Sequence, residues 1–233
     1  MYNKDFAKIY NKEWSLFSET LADNVLKLTK TFNSILDLGC GTGNFLKKLE
    51  KKFNKTVGID ISKDMIEIAK QNCPTTKFLV ASVTDFNLEE EFDLITCNFD
   101  MINHLNSIFD WETCFNLVFK HLKSDGVFLF DINTMFKYGE LDTAEYITET
   151  NKYKIIAKEV RIDLNHVKIN IEIYNKNGEK LAFIDETESF YDEEIIVKSL
   201  KNAGFNNITF ADKDLNPVND FKCKRLFVVC KKQ

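Results

Sequence analysis

The segment that most constrains the fold is a short apolar run that leads straight into a glycine-rich turn. It reads ILDLGCGTGNF over residues 35–45, with Gly39, Gly41 and Gly43 each two residues apart. Glycine has no Cβ and adopts positive φ at little cost, so such a turn lets the backbone approach a bound ligand closely. An amphipathic helical pattern follows at once, with one apolar face formed by Phe45, Leu46, Leu49 and Phe53. The segment therefore predicts a strand, a ligand-binding turn and a helix.

Short apolar runs alternate with helical patterns between residues 33 and 133. This alternation is typical of a parallel sheet covered by helices on both faces. The αβ pattern returns near the C-terminus, after about residue 191. We predict strands at 34–38, 55–60, 77–81, 92–98, 126–132, 205–211 and 225–230. The sequence thus predicts an α/β, doubly wound fold with a seven-stranded, mostly parallel sheet.

A different pattern occupies residues 138–190. Apolar and polar residues alternate there with the period of a half-buried antiparallel strand, the apolar ones being Val167, Ile169, Ile171 and Ile173. An earlier strand is expected to carry Val160, Ile162 and Leu164, and Asn177-Gly178 predicts a hairpin turn before a strand at 181–190. We therefore expect an inserted antiparallel β-sheet.

Composition narrows the class of protein. The chain has 233 residues, 44% of them hydrophobic, without an apolar run long enough for a membrane span, and its first residues lack a signal-peptide pattern. We expect an intracellular, cytoplasmic protein that does not bind membranes. The six cysteines are scattered, which predicts no metal site. A net charge of −5 argues against nucleic acid as the main partner and favours small-molecule chemistry.

The residues around the glycine turn discriminate between cofactors. A dinucleotide site favours GxGxxG, whereas residues 39–43 read GxGxG, and Asp37 would repel a pyrophosphate. Asp60 ends the next predicted strand, where a carboxylate can accept two hydrogen bonds from ribose hydroxyls. No Tyr-x-x-x-Lys pair is present. A ribose-binding acid would suit a nicotinamide cofactor too, but the glycine spacing and the missing pair disfavour a nicotinamide-dependent oxidoreductase, which stays as the alternative.

The combination of LDLGCGTG with VGIDIS, continued by Asp64, Met65 and Ala69, resembles the class I S-adenosylmethionine-dependent methyltransferases. The resemblance covers residues 33–133 well and implies S-adenosyl-L-methionine as the cofactor and a Rossmann-like methyltransferase fold. It implies that backbone at Gly39, Cys40 and Gly41 lies against the methionine part and that Asp60 binds the ribose. The other residues that it places at the cofactor are Thr42, Gly43, Ile61, Met65, Ser82, Val83, Asn98 and Phe99.

The adenine end departs from the family pattern. Many relatives have Asp-Ala after the third strand, with the acid on the adenine amino group, whereas this chain has Ser82 and Val83. The resemblance therefore leaves adenine to the Ser82 hydroxyl or to backbone. Asp85 is a possible substitute acid, although its place in the loop favours a solvated side chain.

The acceptor side is predicted from the segment CNFDMINHL, residues 97–105. Ligands of open α/β sheets bind at the carboxyl ends of strands, so this loop is expected beside the transferred methyl group. The segment resembles the sugar-amine N,N-dimethyltransferases and, more distantly, the glycine N-methyltransferases. It lacks the Asn/Asp-Pro-Pro-aromatic sequence usual in nucleic-acid and protein amide N-methyltransferases. The resemblance implies methyl transfer to a small-molecule amine or hydroxyl, with His104 as a catalytic base or orienter; a structural role for His104 is the competing interpretation.

Aromatic residues recur every four positions near the N-terminus, at Tyr2, Phe6, Tyr10 and Trp14. In the enzymes that the chain resembles, this segment covers the cofactor, which implies a helical lid over residues 1–30 with Tyr10 and Trp14 near the sulfonium. The expected cofactor-binding α/β domain then comprises residues 1–137 and 191–233, and residues 138–190 form a lid or substrate subdomain. Loose candidates for acceptor contacts there are Tyr153, Arg161, Tyr174 and Tyr191. A regulatory protein that binds the cofactor without catalysis is the third hypothesis.

Overall fold

A computed structural model of the chain describes residues 4–13, 15–28, 31–139 and 142–233. Its larger sheet contains seven strands: β1 (Ser34–Leu38), β2 (Lys55–Asp60), β3 (Lys77–Val80), β4 (Phe92–Cys97), β5 (Leu122–Asn133), β10 (Asn207–Ala211) and β11 (Arg225–Lys231). Their spatial order is β10-β11-β5-β4-β1-β2-β3, and only β11 runs antiparallel to its neighbours. The predicted seven-stranded, mostly parallel sheet is confirmed. The chain continues from β1 to β2 and β3 on one side and then crosses to β4 on the other side of β1. This change of direction creates a crevice at the carboxyl ends of β1 and β4.

Helices cover both faces of this sheet. They are α1 (Lys4–Glu13), α2 (Ser15–Leu28), α3 (Asn44–Leu49), α4 (Lys63–Asn72), α5 (Ile108–His121), α6 (Met135–Tyr138) and α7 (Glu193–Asn202), with a short 3-10 helix, η1 (Met101–His104). The start of α4 has a local cause, because the Ser62 hydroxyl accepts a hydrogen bond from the Met65 N–H. Among the described residues, no helix combines the length and the apolar character needed to cross a membrane.

The smaller sheet is antiparallel, as predicted. It consists of β6 (Thr143–Glu149), β7 (Tyr153–Arg161), β8 (His166–Asn175) and β9 (Lys180–Ser189), in that order. The predicted turn at Asn177-Gly178 joins β8 to β9, with Gly178 at φ 82°.

Three predictions about the strands needed correction. The strand β6 was missed, because an edge strand with mostly exposed residues shows little alternation. The strand β7 ends at Arg161, so Ile162 and Leu164 lie exposed beyond it instead of inside it. Finally, β5 begins four residues before the predicted 126, because Leu122 already pairs with Phe92 across an irregular register.

The helix α1 joins the two sheets. Its buried side chains Phe6, Ala7 and Ile9 share one apolar cluster with Met65 of α4 and with residues of the smaller sheet, Ile173, Ala182 and Ile184. The helix contacts both α4 and β9. Apolar contact on two sides therefore holds α1 between the two sheets.

Candidate active site

A cavity of about 700 Å³ lies at the carboxyl ends of β1 to β4, between the larger sheet, α1 and the inner face of the smaller sheet. We call the part next to β1, β2 and β3 the donor half and the part next to η1 and the smaller sheet the acceptor half. The donor half is lined by Phe6, Tyr10, Gly39, Gly41, Asp60, Ile61, Met65, Ala81, Ser82, Val83, Asn98 and Phe99. The acceptor half is lined by Asp100, Met101, His104, Leu105, Lys137, Ala157, Glu159, Ile169, Ile171, Glu186, Glu188 and Arg225.

Backbone conformation shapes the glycine turn. Gly39, Gly41 and Gly43 have φ of 67°, 53° and 76°, a region that side chains disfavour. A Cβ on Gly39 would lie 2.2 Å from Cγ of Met101, and one on Gly41 would lie 3.5 Å from the Tyr10 ring. Gly39 and Gly41 therefore expose bare backbone to the cavity, whereas a Cβ on Gly43 would meet α4 at Ala69.

Asp60 ties the turn to β2. Its Oδ2 accepts a hydrogen bond from the Gly41 N–H and its Oδ1 accepts one from the Ser62 N–H, both at 2.8 Å. Each carboxylate oxygen can accept a further bond, so these contacts orient the group without saturating it. Burial raises the pKa of the Asp60 carboxyl, against the effect of the two backbone hydrogen bonds.

Asp37, at the end of β1, is a second buried acid. Its Oδ1 accepts a 2.6 Å hydrogen bond from the Thr96 hydroxyl. Burial raises the pKa of Asp37 to about 7, while Thr96 and Asn98 act in the opposite direction. Asn98 is 2% exposed and lines the cavity, and its side-chain oxygen and nitrogen have no hydrogen-bond partner of standard geometry among the described residues.

The loop after β4 has an unusual backbone. Phe99 and Asp100 both have positive φ, at 64° and 52°. The fully buried Asp131 of β5 holds them, because its Oδ1 accepts from the Phe99 N–H at 2.5 Å and its Oδ2 from the Asp100 N–H at 3.0 Å. Burial raises the pKa of Asp131 to about 6, although the Arg225 guanidinium opposes the shift.

Arg225 of β11 links this loop to the rest of the acceptor half. Its guanidinium lies 2.9 Å from Oδ1 of Asp100 and 3.1 Å from Oδ2 of Asp131. Burial opposes the ionised form of Asp100, but Arg225, His104, Lys137 and the Asn133 hydrogen bond together outweigh it and lower the pKa of that carboxyl. The Asn133 amide donates to Asp100 at 2.6 Å and to Glu188 at 2.8 Å, which extends the network to β9.

His104 ends η1 and faces the smaller sheet. Its Nδ1 lies 3.6 Å from Oε2 of Glu186, beyond hydrogen-bond distance, and is buried without a hydrogen-bond partner among the described residues. The other two histidines lie outside the cavity: His121 accepts from the Leu88 N–H at 3.2 Å, and His166 contacts Asp163 at 2.8 Å. His104 is thus the histidine that lines this cavity within the described part of the chain.

Comparison with known protein families and solved structures identifies the class of enzyme. A family model described as a methyltransferase domain matches residues 35–126. The solved structure of an S-adenosylmethionine-dependent methyltransferase from Clostridium acetobutylicum superposes with a TM-score of 0.87 at 28% identity, over 97% of each chain. The chain is a class I S-adenosylmethionine-dependent methyltransferase.

Two curated relatives match parts of this methyltransferase. One is a dTDP-3-amino-3,4,6-trideoxy-alpha-D-glucopyranose N,N-dimethyltransferase of Streptomyces venezuelae, 28% identical over 54% of the chain and 56% of its own length. The other is a malonyl-acyl-carrier-protein O-methyltransferase of Ilyobacter polytropus, 30% identical over 76% of the chain and 65% of its own length. The chain spans little more than half of the former and just under two thirds of the latter.

The donor half of the methyltransferase fits S-adenosylmethionine, which is its cofactor. Bare backbone at Gly39 and Gly41, an oriented Asp60 carboxylate and the buried Asn98 amide offer polar contacts for an amino-acid and ribose group. Met65 is 2% exposed and offers an apolar surface, while Ile61 is 62% exposed at the cavity rim. No group of three potential metal ligands occurs among the described residues.

The structure brings most of the predicted site residues together. Tyr10, Gly39, Gly41, Asp60, Ile61, Met65, Ser82, Val83, Asn98, Phe99 and His104 line the cavity, but Cys40, Thr42 and Gly43 do not. Cys40 donates its N–H to Ile59 at 2.9 Å, and Thr42 is buried behind the turn. Trp14 and Tyr2 lie outside the described residues, so their predicted roles stay predictions.

At the adenine side, Ser82 takes the place of the acid that many relatives have. The Ser82 hydroxyl is 2.8 Å from the Thr84 hydroxyl and accepts from the Thr84 N–H at 3.2 Å, so a local turn uses part of its capacity. Asp85 is exposed and does not line the cavity, which favours the solvated-acid interpretation.

Sequence reasoning missed most of the acceptor half. The loosely suggested Tyr153, Arg161, Tyr174 and Tyr191 do not line the cavity. Asp100 belongs to the segment 97–105 that was expected there, but no motif marked the other charged residues of this half, namely Lys137, Glu159, Glu186, Glu188 and Arg225. A usable signal existed for Glu186 and Glu188, because they share a face of β9 with Ile184 and so interrupt an apolar alternation.

Proposed function

We propose that this methyltransferase transfers the methyl group to the nitrogen of a small-molecule amine, with His104 as the base. The observation that supports the proposal most is the position of His104, which lines the cavity and lies 3.6 Å from the Glu186 carboxylate. A neutral imidazole in this position can accept a proton from a bound ammonium group. Deprotonation matters for an amine because only the free lone pair is nucleophilic.

The proposed cofactor contacts follow the lining of the donor half. Backbone at Gly39 and Gly41 would hold the methionine part, Asp60 the ribose hydroxyls, and Met65, Ile61, Ser82 and Val83 the adenine. Tyr10, Asn98 and Phe99 would border the sulfonium. When bound, S-adenosylmethionine supplies an electrophilic methyl group on a positively charged sulfur. The protein aligns the acceptor with that group and excludes water, a role suited to a cavity closed by α1 and the smaller sheet.

The proposed domain boundaries follow the two sheets. Residues 1–137 and 191–233 would form the cofactor-binding domain, residues 1–30 its lid, and residues 138–190 the substrate subdomain. The smaller sheet supports this division because Glu159, Glu186 and Glu188 come from its strands and line the acceptor half.

The test is an acceptor screen with a matched histidine control. Small amines, amino alcohols, amino sugars and alcohols are incubated with S-adenosylmethionine, and formation of S-adenosylhomocysteine is measured. We expect an amine substrate and a kcat lower by about 10²–10⁴ in His104→Gln, the range for loss of general base catalysis. His166→Gln is the control, because His166 also contacts a carboxylate but lies outside the cavity. It is expected to keep the wild-type kcat.

Three results would contradict the proposal. Methylation of alcohols and not of amines would overturn the nitrogen acceptor. Full turnover by His104→Gln across pH would exclude the base. Tight cofactor binding without product over the whole panel would favour the non-catalytic regulatory protein.

A further inference from the structure

Asp100 has a backbone conformation that is uncommon for a residue with a side chain. It lies between β4 and η1 with φ at 52°, and Phe99 before it also has positive φ. Such conformations cost free energy, and they persist where the surrounding structure fixes them, as it does at many functional sites. Asp131 accepts from the Asp100 N–H at 3.0 Å, and the Asp100 carbonyl accepts from the Asn103 N–H at 2.8 Å. These bonds fix the direction in which the Asp100 side chain leaves the turn.

The Asp100 carboxylate does not serve the local structure. Asp100 occupies the N-cap of η1, where an aspartate often accepts a hydrogen bond from a helix N–H, but its side chain makes no capping bond. It lines the acceptor half of the cavity instead. Arg225 does not depend on it alone, because the guanidinium also lies 3.1 Å from the fully buried Asp131. Helix capping and ion pairing therefore do not account for the position of this carboxylate.

Two protein groups orient the Asp100 carboxylate without saturating it. The Arg225 guanidinium lies 2.9 Å from Oδ1, and the Asn133 amide donates to Oδ2 at 2.6 Å. A carboxylate has about four lone-pair sites, so each oxygen can accept a further hydrogen bond. The side chain of Asp100 is 19% exposed, which leaves it accessible to a ligand in the cavity.

Asp100 lies near both groups that the proposed function places at the reaction. Burial raises the pKa of the Tyr10 hydroxyl most, and the negative charge of Asp100 raises it further, ahead of Asp60. The pKa of Asp100 is lowered against the effect of burial, by Arg225 first and by His104 next. Tyr10 borders the proposed position of the sulfonium and His104 is the proposed base. Asp100 therefore faces the point where the methyl donor and the methyl acceptor meet.

We infer that Asp100 is a catalytic residue that accepts a hydrogen bond from an N–H of the reacting nitrogen. The inference rests on the proposed function and adds how the amine is held. After the ammonium has lost one proton to His104, the bond from a remaining N–H to Asp100 points the nitrogen lone pair at the methyl group. The lone pair forms the new N–C bond while the C–S bond breaks and its electron pair goes to sulfur. Because the nitrogen becomes positively charged in this step, the carboxylate stabilises the transition state more than the neutral amine.

The binding test uses two cations that differ by one N–H. Protonated 2-dimethylaminoethanol has one N–H and choline has none, although both carry a single positive charge at neutral pH. Both are titrated by calorimetry into the enzyme saturated with S-adenosylhomocysteine. We expect 2-dimethylaminoethanol to bind about tenfold more tightly than choline to the wild type and about equally to Asp100→Asn. Because the same two cations are compared in both proteins, their difference in size cancels.

A second variant and a matched control accompany Asp100→Asn. Asparagine tolerates positive φ and glycine adopts it freely, so Asp100→Asn and Asp100→Gly both keep the backbone of the turn. Asp93→Asn is the control, because Asp93 is also ion-paired, with Lys123 at 3.0 Å, but does not line the cavity. It is expected to keep the wild-type preference. A preference that survives both Asp100 variants or is lost equally in Asp93→Asn would overturn the inference, as would a wild type that binds neither cation or does not distinguish them.

Turnover separates this inference from the proposed function. With an amine that the acceptor screen shows to be methylated, Asp100→Asn is expected to lower kcat/KM about 10- to 100-fold, the effect of losing a hydrogen bond to a charged group. The affinity for S-adenosylhomocysteine should change less than about threefold. An unchanged kcat/KM in Asp100→Asn would overturn only the inference. If no amine were methylated while the preference for the N–H cation remained, the proposed function would fail and the hydrogen bond to Asp100 would stand.

Discussion

The donor and acceptor halves of the cavity are built in different ways. The donor half takes its glycine turn, the buried acid Asp60 and Met65 from a short continuous stretch, residues 39–65, where the turn exposes bare backbone. The acceptor half takes its charged side chains from η1, α6, β7, β9 and β11, far apart in the chain. The comparison teaches that local conformation builds the cofactor site, whereas strand register and long-range packing build the substrate site.

The largest expected effect is at the backbone of the donor half. In Gly39→Ala the new Cβ would lie 2.2 Å from Met101 Cγ at φ 67°, which combines overpacking with backbone strain. We expect roughly 2–5 kcal/mol of lost stability and about a hundredfold weaker binding of S-adenosylmethionine, measured by denaturant unfolding and calorimetry.

The control for Gly39→Ala is Gly178→Ala in the β8–β9 turn. Gly178 also has positive φ, but nothing lies within 4 Å of the position that its new methyl group would occupy. It is expected to lose only about 1 kcal/mol, with unchanged cofactor affinity. If both variants bound the cofactor equally well, the backbone of the turn would not be what forms the donor half.

The next effect is at the loop that joins the two halves. Asp131→Asn can accept from only one of the Phe99 and Asp100 N–H groups and removes a buried partner of Arg225. We expect a loss of about 2–4 kcal/mol in the free energy of unfolding and an acceptor KM raised about tenfold. Cofactor affinity should change less than about threefold, because the glycine turn does not depend on Asp131.

Asp93→Asn serves as the comparison for Asp131→Asn. Asp93 is also ion-paired, with Lys123 at 3.0 Å, but it lies at the opposite end of the sheet. A smaller loss of stability and an unchanged acceptor KM are expected. A raised KM in both variants would mean that general destabilisation, and not the loop, controls acceptor binding.

A pH-dependent effect at Asp37, behind the donor half, distinguishes stability from cofactor binding. The folded-state pKa of Asp37 is raised from 3.8 to about 7, so its buried charge is unfavourable to folding. This penalty is absent below the unfolded pKa, grows as pH rises through the folded pKa and is constant above it. Asp37→Asn is therefore expected to stabilise the protein at pH 8, by at most about 4 kcal/mol, and to change little at pH 4.

Asp37→Asn is expected to weaken cofactor binding, whereas it stabilises the fold. Ionised Asp37 attracts a positively charged cofactor, so wild-type affinity for S-adenosylmethionine should rise between pH 6 and 8, while Asp37→Asn should bind more weakly with a flatter profile. Calorimetry at several pH values measures both curves. Parallel curves for the two proteins would show that Asp37 does not contribute its charge to binding.

The smallest effect is expected at α1. Tyr10 lines the cavity from α1, and burial raises the pKa of its hydroxyl. If the aromatic face stabilises the cationic cofactor, Tyr10→Phe should weaken binding by less than about threefold and Tyr10→Leu by about tenfold. An equal loss in the two variants would assign the contribution to the hydroxyl.

How well each strand can be predicted from the sequence depends on whether neighbouring or distant residues define its ends. The boundaries of β1 and β2 matched their prediction, because a buried strand beside a glycine turn leaves a strong local pattern. The start of β5 was wrong by four residues, because pairing with Phe92 extends that strand past its apolar run. The edge strand β6 was missed since its residues face mostly solvent and carry little pattern.

The sequence by itself determined the donor half: the alternation of strands and helices, the three positive-φ glycines and Asp60 are local features whose chemistry can be read without knowing what lies opposite. Only the tertiary structure decided the acceptor half. Register in the smaller sheet places Glu159 and Glu186 in one row, and the packing of η1 places His104 beside Glu186. Glu186 is a carboxylate like any other in the sequence, and its environment depends on which residues the fold brings to face it.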